Sequence, residues 1–353
     1  MNKVKFAVVY CCDERYVNYL GVSLHSLIKN FNRNIDFDIF VLETEISDLR
    51  KQDINNSVGK NHSVKFINVK DDVEKLFRNV ELKGLRYWSP AIYYRLIIPF
   101  LFKTYDYVLY LDTDTVIDAD ISELSMVDWG GYQIATVIDT AAPVMDLTPE
   151  RKQKLAGQGL NDPGKYFNSG VILFNIKNID LDQYLKDITR VLCHDLEFPD
   201  QDALNIVFQN KTLSLGMEYN AQICMLGWPA DMKKMEVNPK FKSDFIKANL
   251  NPKIIHFIGP TKPWNSPYIY GSFYFWKYAR ESFFYERILY ENIVKDYAYK
   301  NDISVVVNKG KIISKYYFYS VLSAVSFGRA KARYKHRRDK YRSLRKYLMR
   351  YGL

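Results

Sequence analysis

Short apolar runs recur through the first half of the chain, at Phe6 to Cys11, Phe37 to Leu42, Val64 to Val69, Val108 to Leu111, Ile134 to Ile138 and Val171 to Phe174. They are mostly β-branched or aromatic, and continuous apolar runs of this length predict strands buried on both faces. Between the early runs the polar and apolar positions switch to helical spacing. Tyr16 to Lys29 carries Leu20, Leu24, Leu27 and Ile28 on one face, and a second helix is predicted over Ile46 to Asn56. Strand alternating with helix predicts an α/β protein with a mostly parallel sheet. Ser89 and Pro90 read as a cap and first helical residue, opening a helix to Ile98 that contains Arg95. Further on, helices are predicted over Leu181 to Leu196 and Gln201 to Phe208, then a strand over Lys253 to Phe257. From Tyr268 aromatics and charges mix without strand alternation, which predicts a helical C-terminal appendage.

Composition supports a large folded core, with 48% hydrophobic and 25% charged residues among 353. The formal charge of +10 would suggest nucleic acid until it is located. Residues 329–350 hold 11 of the 50 Lys and Arg and one of the 40 acids, leaving 39 of each elsewhere. The imbalance is therefore confined to the tail. Tyr334, Tyr341, Leu344, Tyr347, Leu348 and Tyr351 lie among those cations, a mixture suited to an anionic lipid surface, where each cation contributes roughly 1 kcal/mol. A solubilising tail and nucleic-acid contact are the other readings, and no nucleic-acid partner is expected. Tyr316 to Phe327 is apolar but only about half a bilayer span. At the N-terminus Asp13, Glu14 and Arg15 end an apolar run too soon for a signal peptide. Cys11, Cys12, Cys193 and Cys224 have no metal-ligand spacing and fit a reducing compartment.

The chemistry concentrates at Val108-Leu109-Tyr110-Leu111-Asp112-Thr113-Asp114. In an extended backbone residues i and i+2 point the same way, so Asp112 and Asp114 can converge at the carboxyl end of a buried strand. Two hard oxygen ligands suit Mg²⁺ or Mn²⁺ carrying a phosphate-bearing substrate. Two other readings stay open on this motif: a solvated turn after a strand, and the nucleophilic Asp of a haloacid-dehalogenase-type phosphatase. An EF-hand fails, because Asp118 and Asp120 lack its glycine and terminal Glu.

Four more segments carry polar groups in suggestive places: Cys12-Asp13-Glu14-Arg15-Tyr16, Tyr166-Phe167-Asn168-Ser169-Gly170-Val171, Pro199-Asp200-Gln201-Asp202-Ala203-Leu204-Asn205, and the stretch His256 to Trp264 with Gly259 and Lys262. Gly170 beside Asn168 and Ser169 marks a close approach of backbone to a ligand or a plain turn. Asp200, Gln201 and Asp202 begin a helix, where acids also act as caps. Gly259 and Lys262 could cradle phosphate oxygens beside His256.

In this order and at these separations, the five segments resemble glycosyltransferase family 8, which includes glycogenin and the bacterial lipopolysaccharide galactosyl- and glucosyltransferases. The resemblance runs from Lys5 to Trp264. It implies a GT-A fold, with a mostly parallel mixed sheet flanked by helices, as a catalytic domain over residues 1–265; the helical, basic, aromatic region over 266–353 lies beyond the resemblance and is read from its own residues as a membrane-surface attachment. It implies that Asp112, Asp114 and His256 bind Mn²⁺, with Mg²⁺ the alternative, and that Gly259 and Lys262 contact the diphosphate. Cys11, Asp13, Tyr16 and Thr113 fall near the nucleotide, Arg95 and Asp139 near the sugar and phosphate, and Asn168, Ser169, Asp200 and Gln201 in the sugar pocket. Trp88 falls among acceptor contacts. Asp200, Gln201 and Lys262 are the catalytic candidates. The implied reaction is retaining transfer of glucose or galactose from a UDP-hexose to a saccharide or glycolipid acceptor, at the cytoplasmic face of the cell membrane, in lipopolysaccharide, capsule or other surface glycan synthesis. The family resemblance weighs against a phosphatase, which would also need a downstream Gly-Asp motif.

Overall fold

The computed structural model of the protein describes residues 4–32, 35–78, 80, 91–141, 148–223, 238–301 and 303–325, with shorter stretches at 330–331, 334–335, 337–339 and 341–342. Among these, the strands in chain order are β1 (Phe6–Cys11), β2 (Asp38–Glu43), β3 (Val64–Asn68), β4 (Tyr107–Leu111), β5 (Thr115–Ile117), β6 (Ile134–Ile138), β7 (Phe167–Asn175), β8 (Thr212–Ser214), β9 (Ala221–Ile223) and β10 (Ile254–Phe257). Seven of them form one sheet in the order β3-β2-β1-β4-β7-β6-β8. β1, β2, β3 and β4 run parallel, β7 runs antiparallel to β4 and β6, and β8 is parallel to β6. The other three form a small sheet, β5-β10-β9.

Every residue of β1 and β7 is buried, as two-sided burial requires. The edge strand β3 departs from that expectation: Lys65 and Asn68 are exposed, because an edge strand is less covered than its neighbours. Helices Val17–Asn30 and Asp48–Ser57 follow β1 and β2 as predicted, and Leu181–Leu192 and Pro199–Phe208 cover the far half of the sheet. The apolar faces of the last two helices meet the sheet in one core that includes Val9, Tyr110, Phe174, Ile188 and Phe208.

The helix expected up to Ile98 is broken. Ala91–Tyr94 is helical, Arg95–Ile97 tightens to a 3₁₀ turn, and Ile98–Leu101 resumes. Pro99 has no N–H to give the Arg95 carbonyl, which accepts instead from Ile98. Ser89 and Pro90 lie outside the described residues.

The first compact unit runs to Tyr285 rather than ending at 265. The helix Ser272–Ala279 explains the difference. Its Phe275 packs on Trp264, which stacks on Tyr19 at 3.8 Å, so this stretch completes the core of the first unit. The second unit, Glu286–Leu353, is helical over its longest described stretch, Ile303–Val325, as expected of the appendage. Within it Tyr319 stacks on Tyr334 and Tyr341. Among the described residues no helix is long and apolar enough to cross a membrane.

Candidate active site

Strand order assembles the site. Because β7 is antiparallel and lies between β4 and β6, its first residues sit beside the carboxyl ends of both neighbours. Asp112 N donates to Gly170 O at 2.8 Å and Asp139 N to Tyr166 O at 2.9 Å, which sets Asn168 and Ser169 between the two carboxylates. After β4 the chain turns at once, with Thr115 Oγ1 donating to Asp112 O at 2.8 Å, and enters β5. β5 pairs antiparallel with β10 so that His256 opposes Thr115, and Phe257 N donates to Asp114 O at 3.1 Å. Ligands of open α/β sheets collect at this edge.

Asp112, Asp114 and His256 each turn one ligand atom into a space where all three lie within 4.8 Å of one another. His256 Nε2 is 3.2 Å from Asp114 Oδ1 and 3.6 Å from Asp112 Oδ2. Asp114 Oδ1 is buried with no hydrogen-bond partner among the described residues. An orphaned carboxylate oxygen beside an imidazole and a second carboxylate is a donor set that fits a divalent cation. The Lys262 ammonium pairs with Asp114 and donates to Phe257 O at 2.5 Å. Burial works against ionisation of Asp114, but the Lys262 ammonium beside it outweighs that and holds the carboxyl below its usual range.

Arg95 joins this cluster to the next. Its guanidinium is buried, 2.8 Å from Asp112 Oδ1 and 3.2 Å from Asp200 Oδ2, and donates to Ser169 O at 2.9 Å. Tyr110 donates its hydroxyl to Asp112 and lies under the guanidinium, 4.7 Å from ring centre to Cζ. Burial opposes the charge on Arg95, yet Asp112 and Asp200 keep its pKa above the ordinary value. Asp200 goes the other way: burial raises its carboxyl, and Arg95 only partly offsets that.

The helix start Pro199–Phe208 divides its polar residues between two tasks. Asp202 Oδ2 accepts from the backbone N–H groups of Glu197 and Phe198 at 3.1 Å, and Arg151 holds Asp202 Oδ1 at 2.7 Å, so Asp202 ties down the chain entering the helix. Asp200 and Gln201 face the site. Gln201 Oε1 accepts from Ser169 N at 3.0 Å while its Nε2 donates to Asp139 Oδ2 at 2.9 Å and Tyr166 OH at 3.2 Å. Asn168 Nδ2 reaches Asp139 Oδ2 and Gln201 Oε1 at 3.4 and 3.3 Å.

The structure thus brings Arg95, Asp112, Asp114, Asp139, Asn168, Ser169, Asp200, Gln201, His256 and Lys262 into one connected network. Thr113 is buried between the two aspartates, and Cys11 is buried at the end of β1. Gly259 adopts the left-handed conformation, φ 73°, that a phosphate-binding turn uses. Tyr16 packs edge-on to Trp264. Asp13 caps the turn Glu14–Tyr16 and is gripped by Arg15 at 2.7 Å, an exposed pair that engages the same carboxylate expected near the nucleotide. Trp88 lies outside the described residues. Asn220 and Arg151 are buried in the network without having been singled out in the sequence; each stands alone in its stretch, with no periodicity or spacing to mark it.

An open mixed α/β sheet with an acid, acid and imidazole cluster at its carboxyl edge defines the GT-A class of glycosyltransferase. The chain belongs to glycosyltransferase family 8, whose model, described as "Glycosyl transferase family 8", matches residues 7–267. It is 31% identical over 283 residues to a lipopolysaccharide 1,2-glucosyltransferase of Escherichia coli (strain K12), covering 78% of this chain and 77% of that one. It is 30% identical over 270 residues to a lipopolysaccharide 1,3-galactosyltransferase of Salmonella typhimurium (strain LT2), covering 74% of each. Among solved structures, the WbbM bifunctional glycosyltransferase in its apo form aligns with a TM-score of 0.71 and 28% identity over 83% of this chain, which spans about half, 52%, of that one. Family membership removes the phosphatase reading of Asp112.

Proposed function

We propose that this glycosyltransferase is a retaining, Mn²⁺-dependent hexosyltransferase that moves glucose or galactose from a UDP-sugar to a saccharide or glycolipid acceptor in bacterial surface glycan synthesis. The observation that carries the reading is the convergence of Asp112, Asp114 and His256 beside Lys262, next to the hydrogen-bonded group Asp139, Asn168, Ser169, Asp200 and Gln201. The named activities of the Escherichia coli and Salmonella relatives support glucose and galactose as the sugars.

Breaking the bond from sugar to phosphate leaves negative charge on the departing diphosphate. A divalent ion held by Asp112, Asp114 and His256 supplies Lewis-acid stabilisation of that charge. Lys262 and the turn at Gly259 bind the same oxygens, with Cys11, Asp13, Tyr16 and Thr113 toward the nucleoside and Trp88 toward the acceptor. Arg95 neutralises Asp112 and Asp200 together, so two carboxylates can stand close without mutual repulsion. Asp200 is tied by Arg95 and by Ser169 Oγ at 3.2 Å, and the Gln201 amide oxygen is occupied by a backbone N–H. Both contacts hold Asp200 through Oδ2, as a group that binds, and the Gln201 amide is a feeble nucleophile. This favours attack by the acceptor hydroxyl on the face the diphosphate leaves, with the diphosphate taking the proton, and a glycosyl adduct trapped on Asp200 or Gln201 would overturn it.

Incubation with a panel of nucleotide sugars and Mn²⁺, reading UDP release, tests the whole proposal; UDP-glucose or UDP-galactose is expected to give the fastest turnover. Asp112→Asn is expected to lower turnover at least about 100-fold with the fold intact. Undiminished turnover in that variant would remove the metal assignment. The basic tail is proposed to hold the enzyme on the cytoplasmic face of the membrane.

A further inference from the structure

His256 presents Nε2 to the carboxylates of Asp112 and Asp114, so what this nitrogen carries decides whether the cluster can take a cation at all. The proton's position follows from a chain of hydrogen bonds that begins at a group with no choice. The backbone N–H of Gly170 can only donate, and the atom it meets at 3.0 Å on Asn168 is therefore the amide oxygen, Oδ1. Asn220 approaches the same oxygen at 3.0 Å, so it must offer its Nδ2. That turns Asn220 Oδ1, an acceptor, toward His256 Nδ1 at 3.0 Å. Nδ1 must then carry the hydrogen, and in the neutral ring Nε2 is left with a bare lone pair aimed between two carboxylates. All three side chains are buried, and Asn220 is fully so, which leaves water little part in the assignment.

We infer that Asn220 is a positioning residue that fixes the tautomer and orientation of His256, and that Asn168 makes this depend on its hydrogen bonds to Asp139 and Gln201. The inference rests on the reading of Asp112, Asp114 and His256 as a metal site. Histidine ligands commonly need such a partner on the second nitrogen, and its loss typically weakens metal binding about 10- to 100-fold. Asn168 donates to Asp139 and Gln201 with its own amide nitrogen, so the residue bonded to both also sets the far end of the relay.

Two measurements test it. Long-range ¹H–¹⁵N correlation spectra of the metal-free, full-length protein, with the His256 signals identified against His256→Gln, are expected to place the proton on Nδ1. A ring with its proton on Nε2 and a bare Nδ1 would overturn the inference without reference to any metal. Mn²⁺ titration followed by electron paramagnetic resonance is expected to show Asn220→Leu binding about 10- to 100-fold more weakly than wild type, with near-ultraviolet circular dichroism unchanged. Affinity within threefold of wild type would also overturn it. If Asn220→Leu does not fold, the wild-type spectrum decides alone. If wild type binds no Mn²⁺ while Nδ1 carries the proton, the relay stands and the metal reading is what fails.

Discussion

Gly170 has no room for a side chain. A Cβ there would lie 2.1 Å from His256 Cε1 and 2.7 Å from Asp112 Oδ2, far inside van der Waals contact with two groups of the cation cluster. The glycine reads in the sequence as a place where backbone nears a ligand or turns; the close neighbours are instead the protein's own imidazole and carboxylate. Gly170→Ala is therefore expected to push His256 off its position and weaken both Mn²⁺ binding and UDP release by at least about tenfold, with the rest of the fold retained. Titration of the metal beside a thermal melt checks it, and unchanged metal affinity would show that the ring can yield harmlessly. At the same scale Asp200, Gln201 and Asp202 are adjacent residues with opposite duties, since Asp202 holds the segment that enters the helix while its two predecessors bond to Ser169 beside the cation cluster. Side-chain chemistry alone does not separate them. Their helical offset around the first turn does.

At the scale of elements, the reversal of β7 is what creates the site, because only an antiparallel strand next to β4 can set its first residues against Asp112. A second element-level device secures the helix Val17–Asn30. A Cβ on Gly21 would meet the Phe284 ring at 2.0 Å, so the helix tolerates a glycine in its interior in order to accept that ring. Gly21→Ala would gain about 0.5–1 kcal/mol of helix propensity but lose about 1–3 kcal/mol to overpacking, so net destabilisation is expected. In a Phe284→Ala background the same change is expected to be neutral or stabilising, a reversal of sign that denaturant melts of the four proteins of the cycle would reveal. Equal effects in both backgrounds would mean that the ring does not press on this helix.

For the whole molecule, charge and catalysis separate along the chain. Outside residues 329–350 positive and negative residues balance, while that segment carries the net +10. A chain ended after Asn301 is expected to keep UDP release within about threefold of the full chain and to lose co-sedimentation with vesicles containing anionic lipid, since the basic residues that contribute roughly 1 kcal/mol each would be gone. Undiminished vesicle binding would remove the surface-attachment reading. Loss of UDP release would mean that the second unit also serves the catalytic one.

The amino-acid sequence by itself determined the strands β1, β4, β6 and β10 nearly to the residue, the alternation that makes the sheet, and the paired aspartates on one strand end. These are local: each depends on apolar runs and periodicity within a window of about ten residues. The short strands β5, β8 and β9, three residues each, left no such trace, although the pairing of β5 with β10 is what brings His256 to Asp114. Only the tertiary structure decided that Arg95 would bridge Asp112 and Asp200, that Asn220 would stand behind His256, and that the core would continue to Tyr285. The physical reason is that a buried polar side chain is selected by the partners that satisfy it, and those partners come from segments far apart in the chain that meet only once the sheet has formed.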